Sequence, residues 1–341
     1  MSAPLALTLG EPAGIGPDIT LAAWHRRAEF SLPPFYVVAD AVFLANLAER
    51  LRLPVRVRSV EPEAAAAAFA SALPVVSLGM QVTAQPGRPD ASSAPAAIAS
   101  IRRAVADVMA GRAAALVTNP VAKAVLYQTG FPAPGHTEYL AQLAQQATGR
   151  PTRTAMMLWS PELAVVPVTI HLPLREVPGR LTSELIVDTA RIVARDLEAR
   201  FGIARPRLAI AGLNPHAGEA GALGAEDLNV VAPAVERLRA EGIDARGPLA
   251  ADVMFHAAAR STYDVALCMY HDQALIPIKT LAFAHAVNVT LGLPFVRTSP
   301  DHGTAFDIAG TGHADPSSLV AALRLAARIA SGASAAAASG R

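Results

Sequence analysis

The chain has 341 residues, of which 52% are hydrophobic and 17% are charged. This composition allows a sizeable core and excludes disorder along the whole chain. The 29 basic and 28 acidic residues leave a formal charge of +1, so no overall charge favours binding to nucleic acid or to an anionic membrane.

Short apolar runs alternate with longer stretches rich in alanine and leucine. The runs are predicted as strands of an α/β protein, and their uniform apolarity favours a parallel sheet covered on both faces. The predicted strands are Leu5–Leu9, Phe35–Val38, Ala114–Val117, Thr154–Leu158, Leu163–Pro167, Arg207–Ala211 and Asp264–Met269. The predicted helices are Ala96–Met109, Glu138–Ala147, Leu181–Phe201, Ala232–Glu241 and Ser317–Ala327.

Residues 1–330 are expected to form one catalytic unit of two interleaved α/β subdomains. The Pro/Gly cluster at 131–135 predicts a hinge, and the low-complexity segment 331–341 predicts a flexible tail. The single cysteine, Cys268, lies in an apolar run and is interpreted as a buried strand residue. Because no disulfide can form within the chain and no export signal is apparent, we expect a cytoplasmic protein without a membrane span.

A glycine-rich segment, Leu9–Asp18, follows the first predicted strand. It lacks the third glycine of G-x-G-x-x-G and the Gly-Lys-Ser/Thr ending of a P-loop, so neither conventional nucleotide site is predicted. A tight turn that shapes a cleft and a direct contact with a ligand are both open interpretations.

Three histidines follow apolar strands at the point where each strand ends: His171, His216 and His271. Taken singly, each would more often be a structural residue than a ligand. Because equivalent ends of parallel strands lie at one edge of a sheet, we expect the three imidazoles to converge. Three neutral imidazoles leave open positions on a divalent cation, which is typical of a catalytic metal site.

Other polar residues near these turns are candidates for proton transfer and substrate binding. Asp252 and Asp272 could support the metal ligands or accept a proton, and Lys123 is a further candidate base. His136 and Thr137 begin a probable helix, where they could bind an anion, although Thr137 could instead cap the helix. An apolar tract punctuated by glycine and proline contains a predicted clamp for phosphate or carboxylate, formed by Lys279, Asn288 and Arg297.

With these residues in view, the sequence resembles the 4-hydroxythreonine-4-phosphate dehydrogenase family of pyridoxal phosphate biosynthesis. The resemblance runs from the Gly10–Asp18 loop to the Asp301–Thr304 segment, which is almost the whole chain. The other motifs that carry it are Thr118–Lys123, Gly135–Glu138, Gly212–Glu219, Tyr270–Gln273 and Asn288–Pro294.

The resemblance implies an isocitrate/isopropylmalate dehydrogenase-like α/β/α fold and a homodimer with its active site at the subunit interface. It implies NAD or NADP as cofactor, together with one divalent metal per site (zinc, magnesium, cobalt or manganese). The implied reaction oxidises 4-phosphohydroxy-L-threonine to a β-keto acid, which decarboxylates to 3-amino-2-oxopropyl phosphate. The implied metal ligands are His171, His216 and His271, shared across the interface, and the implied substrate contacts are His136, Thr137, Lys279, Asn288 and Arg297.

Two loops depart from the usual pattern of the family. His285 and Ala286 stand where a glycine is usual, and Ala225 and Asp227 stand where a longer polar residue and a glutamate are usual. These departures leave the choice of substrate open. The nearest alternative is a paralogous dehydrogenase of a phosphorylated four-carbon sugar acid, either phosphothreonate or phosphoerythronate. A phosphate- or acyl-transferring enzyme and a noncatalytic metabolite-binding protein are further alternatives, and neither requires three histidines on a metal.

Overall fold

The computed structural model describes residues 3–131, 133 and 135–339, with side chains up to residue 332. Its strands in chain order are β1 Leu5–Thr8, β2 Phe35–Ala39, β3 Val57–Ser59, β4 Leu73–Ser77, β5 Leu116–Val117, β6 Ala155–Trp159, β7 Ala164–Pro167, β8 Arg207–Ala211, β9 Asp244–Leu249, β10 Val265–Cys268, β11 Val287–Leu291 and β12 Arg297–Pro300. No helix within the described ranges is long and apolar enough to cross a membrane.

The helices range from one turn to six turns. In chain order they are α1 Gly16–His25, α2 Ala41–Arg50, α3 Ala65–Ala68, α4 Ala94–Met109, α5 Lys123–Gln128, α6 His136–Thr148, α7 Val177–Arg180, α8 Ser183–Phe201, α9 Ala232–Ala240, α10 Ala257–Arg260, α11 His271–Ala282 and α12 Ser317–Ser339.

The chain divides into two compact units that interleave along the sequence. Unit 1 comprises residues 1–152 and 293–331, and unit 2 comprises residues 153–292 and 332–341. The predicted hinge at 131–135 includes Pro132 and Pro134, which lie outside the described residues, so the hinge stays a prediction. The flexible tail at 331–341 also stays a prediction.

Unit 1 is built on a parallel sheet in the order β3-β4-β2-β1-β5-β12. Helix α4 covers one face of this sheet because its apolar residues recur at helical spacing. Ala97, Ile101, Ala104 and Val105 of this helix are buried in one cluster with Tyr36 of β2.

Unit 2 is built on a sheet in the order β11-β6-β7-β10-β8-β9. Strands β7, β10, β8 and β9 are mutually parallel, whereas β6 runs antiparallel to both of its neighbours. Helix α11 buries Ala274, Ile278 and Ala282 in a cluster with Cys268 of β10. This packing leaves His271, Asp272 and Lys279 on the outer side of the helix.

The predicted α/β class is confirmed, and each of the seven predicted strands has a counterpart within two residues at either end. The expectation of a parallel sheet is correct for unit 1 and wrong in unit 2 for β6, which runs antiparallel to both β7 and β11. A uniformly apolar strand reports burial on both faces, and an antiparallel strand in the middle of a sheet can be buried in the same way. Cys268 is buried in β10, as predicted.

Candidate functional site

The three strands that precede the predicted metal ligands are neighbours in unit 2. Strand β10 pairs in parallel with β7 through Ala266, opposite Val165, and with β8 through Ala266, opposite Ala209. The three strands therefore end at one edge of the sheet, as the sequence predicts. His171 and His216 follow β7 and β8, and His271 begins α11 directly after β10.

Two of the three imidazoles lie close together. The ring centroids of His171 and His271 are 5.7 Å apart, with 43° between the ring planes. His271 Nδ1 lies 2.7 Å from Asp272 Oδ1. A carboxylate on one ring nitrogen favours the tautomer that leaves the other nitrogen available to a metal, which is a common arrangement around histidine ligands. The contact is of the kind expected if Asp272 orients a metal ligand, and that role stays a prediction.

His216 lies on a separate, exposed loop. Its side chain is 65% exposed, and Nδ1 lies 3.7 Å from Glu219 Oε2. Over the described ranges, no three histidine, cysteine or carboxylate side chains are gathered closely enough to hold a metal ion. The structure thus brings together two members of the predicted triad, and the complete triad stays a prediction.

The loop that carries His216 has an unusual backbone. His216, Ala217, Glu219 and Ala220 all have positive φ angles, between 43° and 54°. For residues with a Cβ atom this left-handed conformation costs about 1–2 kcal/mol each. Segment 216–220 therefore stores strain that a different loop conformation would relieve.

A buried carboxylate holds the start of this loop. Asp227 is 1% exposed, and it accepts hydrogen bonds from the backbone N–H groups of Leu213 (2.7 Å) and Asn214 (3.1 Å). The Asn214 side chain donates a further bond to Asp227 at 3.1 Å. In the sequence, Asp227 stands out only as a departure from the family pattern, although it follows the turn of His216 by 11 residues.

One surface cavity combines a predicted metal ligand with a predicted substrate contact. His271, Asp272 and Lys279 of α11 line it, and its volume is about 460 Å³. Asn288 is half-buried on β11, opposite Leu158 of β6. Asp252 lies exposed in the short 3-10 helix Ala251–Val253, and no described contact joins it to the histidine pair.

Unit 1 holds the other predicted substrate contacts. Helix α6 begins at His136, with Gly135 as its N-cap and no side-chain capping bond. Thr137 therefore lies within the first turn, and the interpretation of Thr137 as a cap is wrong. A Cβ atom at residue 135 would contact Oε2 of Glu138, the flexible end of a side chain that can move aside, so space alone does not require a glycine there.

His136 lies in a desolvated environment next to positive charges. Burial, and then the charges of Arg297 and Lys123, lower the pKa of His136 well below its ordinary value. Its Nε2 is buried and has no hydrogen-bond partner among the described residues. At neutral pH the ring is therefore uncharged and can exchange a hydrogen bond with a ligand without adding charge.

Arg297 supplies a buried cation beside this histidine. It is 5% exposed, and its guanidinium donates to Thr118 Oγ1 from NH2 (2.6 Å) and from Nε (3.2 Å). Burial lowers the pKa of Arg297 to about 10, so it remains charged at neutral pH. Such a partly desolvated guanidinium favours a bound carboxylate or phosphate.

The glycine-rich segment of unit 1 packs closely against its own fold. A Cβ atom at residue 10 would lie 2.6 Å from Asn119 Cβ, and one at residue 14 would lie 2.9 Å from Thr304 O. These contacts favour the interpretation of Leu9–Asp18 as a tight turn. Asp18 at its end is 3% exposed, and Gly310 N donates to its Oδ1 at 2.7 Å. Its Oδ2 has no partner within the described part of the chain.

The remaining departures from the family pattern lie in unit 2. His285 Nε2 is 3.7 Å from Glu162 Oε2, and Ala286 is buried at the start of β11. Ala225 is exposed in the turn that leads to Asp227. None of these three side chains has a described contact with the histidine pair.

The sequence matches a known protein family. The family model described as pyridoxal phosphate biosynthetic protein PdxA matches residues 31–326. The chain belongs to this family. The family resemblance predicted from the sequence is thereby confirmed.

Several relatives match over nearly their full length. The 4-hydroxythreonine-4-phosphate dehydrogenase of Bradyrhizobium diazoefficiens is 66% identical and covers 96% of this chain and 97% of its own. The crystal structure of 4-hydroxythreonine-4-phosphate dehydrogenase from Klebsiella pneumoniae is similar with a TM-score of 0.85, 39% identity and coverage of 97% and 98%. A terephthalate 1,2-cis-dihydrodiol dehydrogenase from Burkholderia xenovorans has a TM-score of 0.64, 29% identity and coverage of 96% and 98%.

Replacing Asp18 by asparagine is expected to stabilise the protein at about pH 8 by about 2 kcal/mol. Burial raises the pKa of Asp18 to about 6, so above that pH the folded state has to keep a buried carboxylate charged. The gain should shrink as the pH falls through about 6 and disappear below about 4, where the unfolded chain also becomes protonated. Urea denaturation at several pH values measures this difference.

Asp264→Asn provides a control with the opposite pH dependence. Burial raises the pKa of Asp264, but hydrogen bonds from Arg207 outweigh this effect and leave the pKa lowered. The Asp264 variant should therefore lose most stability at high pH and least in acid. An Asp18→Asn stability difference that stays constant across the pH range would contradict the assignment.

Proposed function

We propose that this chain catalyses the metal-dependent, NAD(P)-linked oxidation of 4-phosphohydroxy-L-threonine in pyridoxal phosphate biosynthesis, in the cytoplasm. The product is a β-keto acid, which loses carbon dioxide to give 3-amino-2-oxopropyl phosphate. The observation that carries the proposal is 66% identity over almost the full length to a dehydrogenase of that name.

A divalent metal fits the chemistry of the unit 2 edge. The His171 and His271 rings lie 5.7 Å apart, and His271 has a carboxylate on Nδ1. We assign these two residues and His216 as the metal ligands. Imidazole nitrogens suit zinc and cobalt better than magnesium, which prefers oxygen ligands, so zinc or cobalt is the favoured metal.

The buried cation and the neutral histidine of unit 1 fit the anionic groups of the substrate. Arg297 is charged and largely desolvated, so an anion bound to it offsets part of the cost of burying the guanidinium. His136 and Thr137 add uncharged hydrogen-bonding groups. Lys279 and Asn288 of unit 2 complete the proposed set of substrate contacts.

The chemistry follows from these assignments. A divalent metal held by the three histidines would supply Lewis-acid activation of the substrate hydroxyl, and NAD(P) would supply the acceptor for the hydride of the same carbon. The hydroxyl proton passes to a base, for which Asp252, Asp272 and Lys123 remain the candidates. Asp272 already holds Nδ1 of His271, which favours a role in orienting that ligand and leaves the other two candidates for proton transfer.

We further propose that the enzyme is a homodimer whose subunits share the metal ligands. Large apolar side chains of unit 2 are exposed close in sequence to the histidines, including Leu174 (68%) and Ile276 (64%). Phe283, just beyond α11, is 81% exposed. Side chains of this kind are common in subunit interfaces, and His216 is exposed enough to reach another chain.

The activity can be tested by following NADH absorbance with 4-phosphohydroxy-L-threonine as substrate. We expect NADH formation that a chelator abolishes and that zinc or cobalt restores. His216→Ala should lower kcat by about 100-fold or more and reduce the bound metal measured by mass spectrometry. His313→Ala, a change at an exposed histidine of unit 1, should alter neither quantity.

Two outcomes would contradict the proposal. NADH formation with phosphothreonate but not with 4-phosphohydroxy-L-threonine would assign the chain to the sugar-acid alternative. Full activity and full metal content in His216→Ala would remove that residue from the metal site.

The shared ligand set predicts complementation between two inactive proteins. His216→Ala and His271→Ala should each be inactive alone. A mixed dimer would contain one complete site, formed by His171 and His271 of one subunit and the partner's His216. Random pairing should then recover about a quarter of wild-type activity. No recovery, although native mass spectrometry shows that subunits have exchanged, would place His216 and His271 of each site on the same chain.

A further inference from the structure

A chain of buried hydrogen bonds joins the three strand ends that carry the histidines. Thr169, just after β7, donates from Oγ1 to the Met269 carbonyl at 2.7 Å. The Met269 N–H donates to Gln273 Oε1 at 2.6 Å, and Gln273 Nε2 donates to the Gly212 carbonyl at 2.8 Å. Thr169 is 4% exposed, Gln273 is 9% exposed and Met269 is fully buried.

Between β7 and β10, backbone bonds continue as far as Thr169 N and Met269 O (3.3 Å). The Gln273 bonds begin where the backbone pairing of β10 with β8 stops. That pairing ends at Leu267, opposite Ile210. Beyond this pair the chain turns away into loops and helix α11. The Gln273 side chain joins Met269 to Gly212 at this point, so it continues by side chain the connection that the backbone no longer makes.

Each end of this chain of bonds lies close to a predicted metal ligand. Gln273 is in the first turn of α11 with His271, and Thr169 precedes His171 by two residues. Gly212 opens the turn that leads to His216, and Asp227 holds the next two residues of that turn. A change in the length of the Gln273 bridge would therefore shift the His216 loop relative to His271.

We propose that Gln273 is a positioning residue for the metal ligands: it fixes the His216 turn and the start of α11 on one edge of the sheet, so that His216 and His271 of one chain are each held where they enter a metal site shared with the partner. This inference rests on the proposed function, because it requires that the histidines bind a metal. Gln273 contacts neither substrate nor metal in this role. Its side-chain amide accepts a hydrogen bond from Met269 N–H and donates one to the Gly212 carbonyl, which holds the two strand ends together.

The test measures metal binding by the apo protein, so it does not depend on turnover. Gln273→Glu keeps an acceptor for Met269 N–H but places a carboxylate against the Gly212 carbonyl. Gln273→Met keeps the approximate volume and removes both hydrogen bonds. We expect the Kd for Co²⁺ to rise by about 10-fold or more in both variants, with an altered visible absorption spectrum of the bound Co²⁺.

Ser100→Ala is the matched control. Ser100 lies in unit 1, is fully buried, accepts from Leu9 N at 2.8 Å and donates to Val38 O at 2.7 Å. Its replacement removes the same number of buried bonds between neighbouring strands, so it should lower thermal stability without changing the Co²⁺ Kd or spectrum. All proteins are compared at a temperature where circular dichroism shows them folded.

The outcomes separate this inference from the proposed function. The positioning role is overturned if Gln273→Glu binds Co²⁺ with the wild-type Kd and spectrum. If that variant fails to fold, the same result for Gln273→Met overturns it. An equal loss of Co²⁺ affinity in Ser100→Ala would also overturn it, because general destabilisation would then explain the effect. A folded wild-type protein that takes up no Co²⁺ would overturn both the inference and the metal-dependent mechanism.

Discussion

The parallel pairing of β10 with both β7 and β8 is the constraint on which the arrangement of unit 2 depends. Because the three strands run in one direction, the residues that follow them start from one edge of the sheet. A slip of one residue in either pairing would turn every side chain to the opposite face. Val165, Ile210 and Leu267 are all fully buried, so hydrophobic burial fixes the register and leaves polar chemistry to the turns.

In unit 1 the cost of burying Arg297 and His136 would be linked to the affinity for the substrate, if these residues bind it as proposed. Arg297 and His136 both have lowered pKa values, and burial is the principal cause for each. A buried guanidinium opposes folding because it loses hydration, and an anion that binds to it returns part of that free energy. His136 contributes a hydrogen-bonding atom but no charge at neutral pH. The same desolvation that disfavours the empty site therefore favours an occupied one.

The sequence predicts the parts of this protein in which one physical signal dominates. The central strands are uniformly apolar, and the histidines stand directly after them, so both the strands and their shared edge were predictable. Strand β9 was missed because Gly247 and Pro248 interrupt its pattern, and α11 was missed because Pro277 lies inside it. Strands β11 and β12 were missed because the polar residues Asn288 and Arg297 interrupt the apolar pattern and because glycine and proline punctuate the tract.

Contacts between a side chain and a backbone group far along the chain are harder to predict from the sequence than apolar strands are. Gln273 bonds to Gly212, 61 residues away, and no periodicity or spacing in the sequence predicts that pairing. Asp227 reaches the backbone of Leu213, 14 residues away, in the same manner. The roles of both residues can be recognised only from the sheet order. That order shows where adjacent strands stop pairing and leave buried N–H and C=O groups that need hydrogen-bond partners. Amide and carboxylate side chains beside a predicted ligand are therefore best interpreted as candidates for satisfying those groups, because a ligand loop can be held in place only when its buried backbone is hydrogen-bonded.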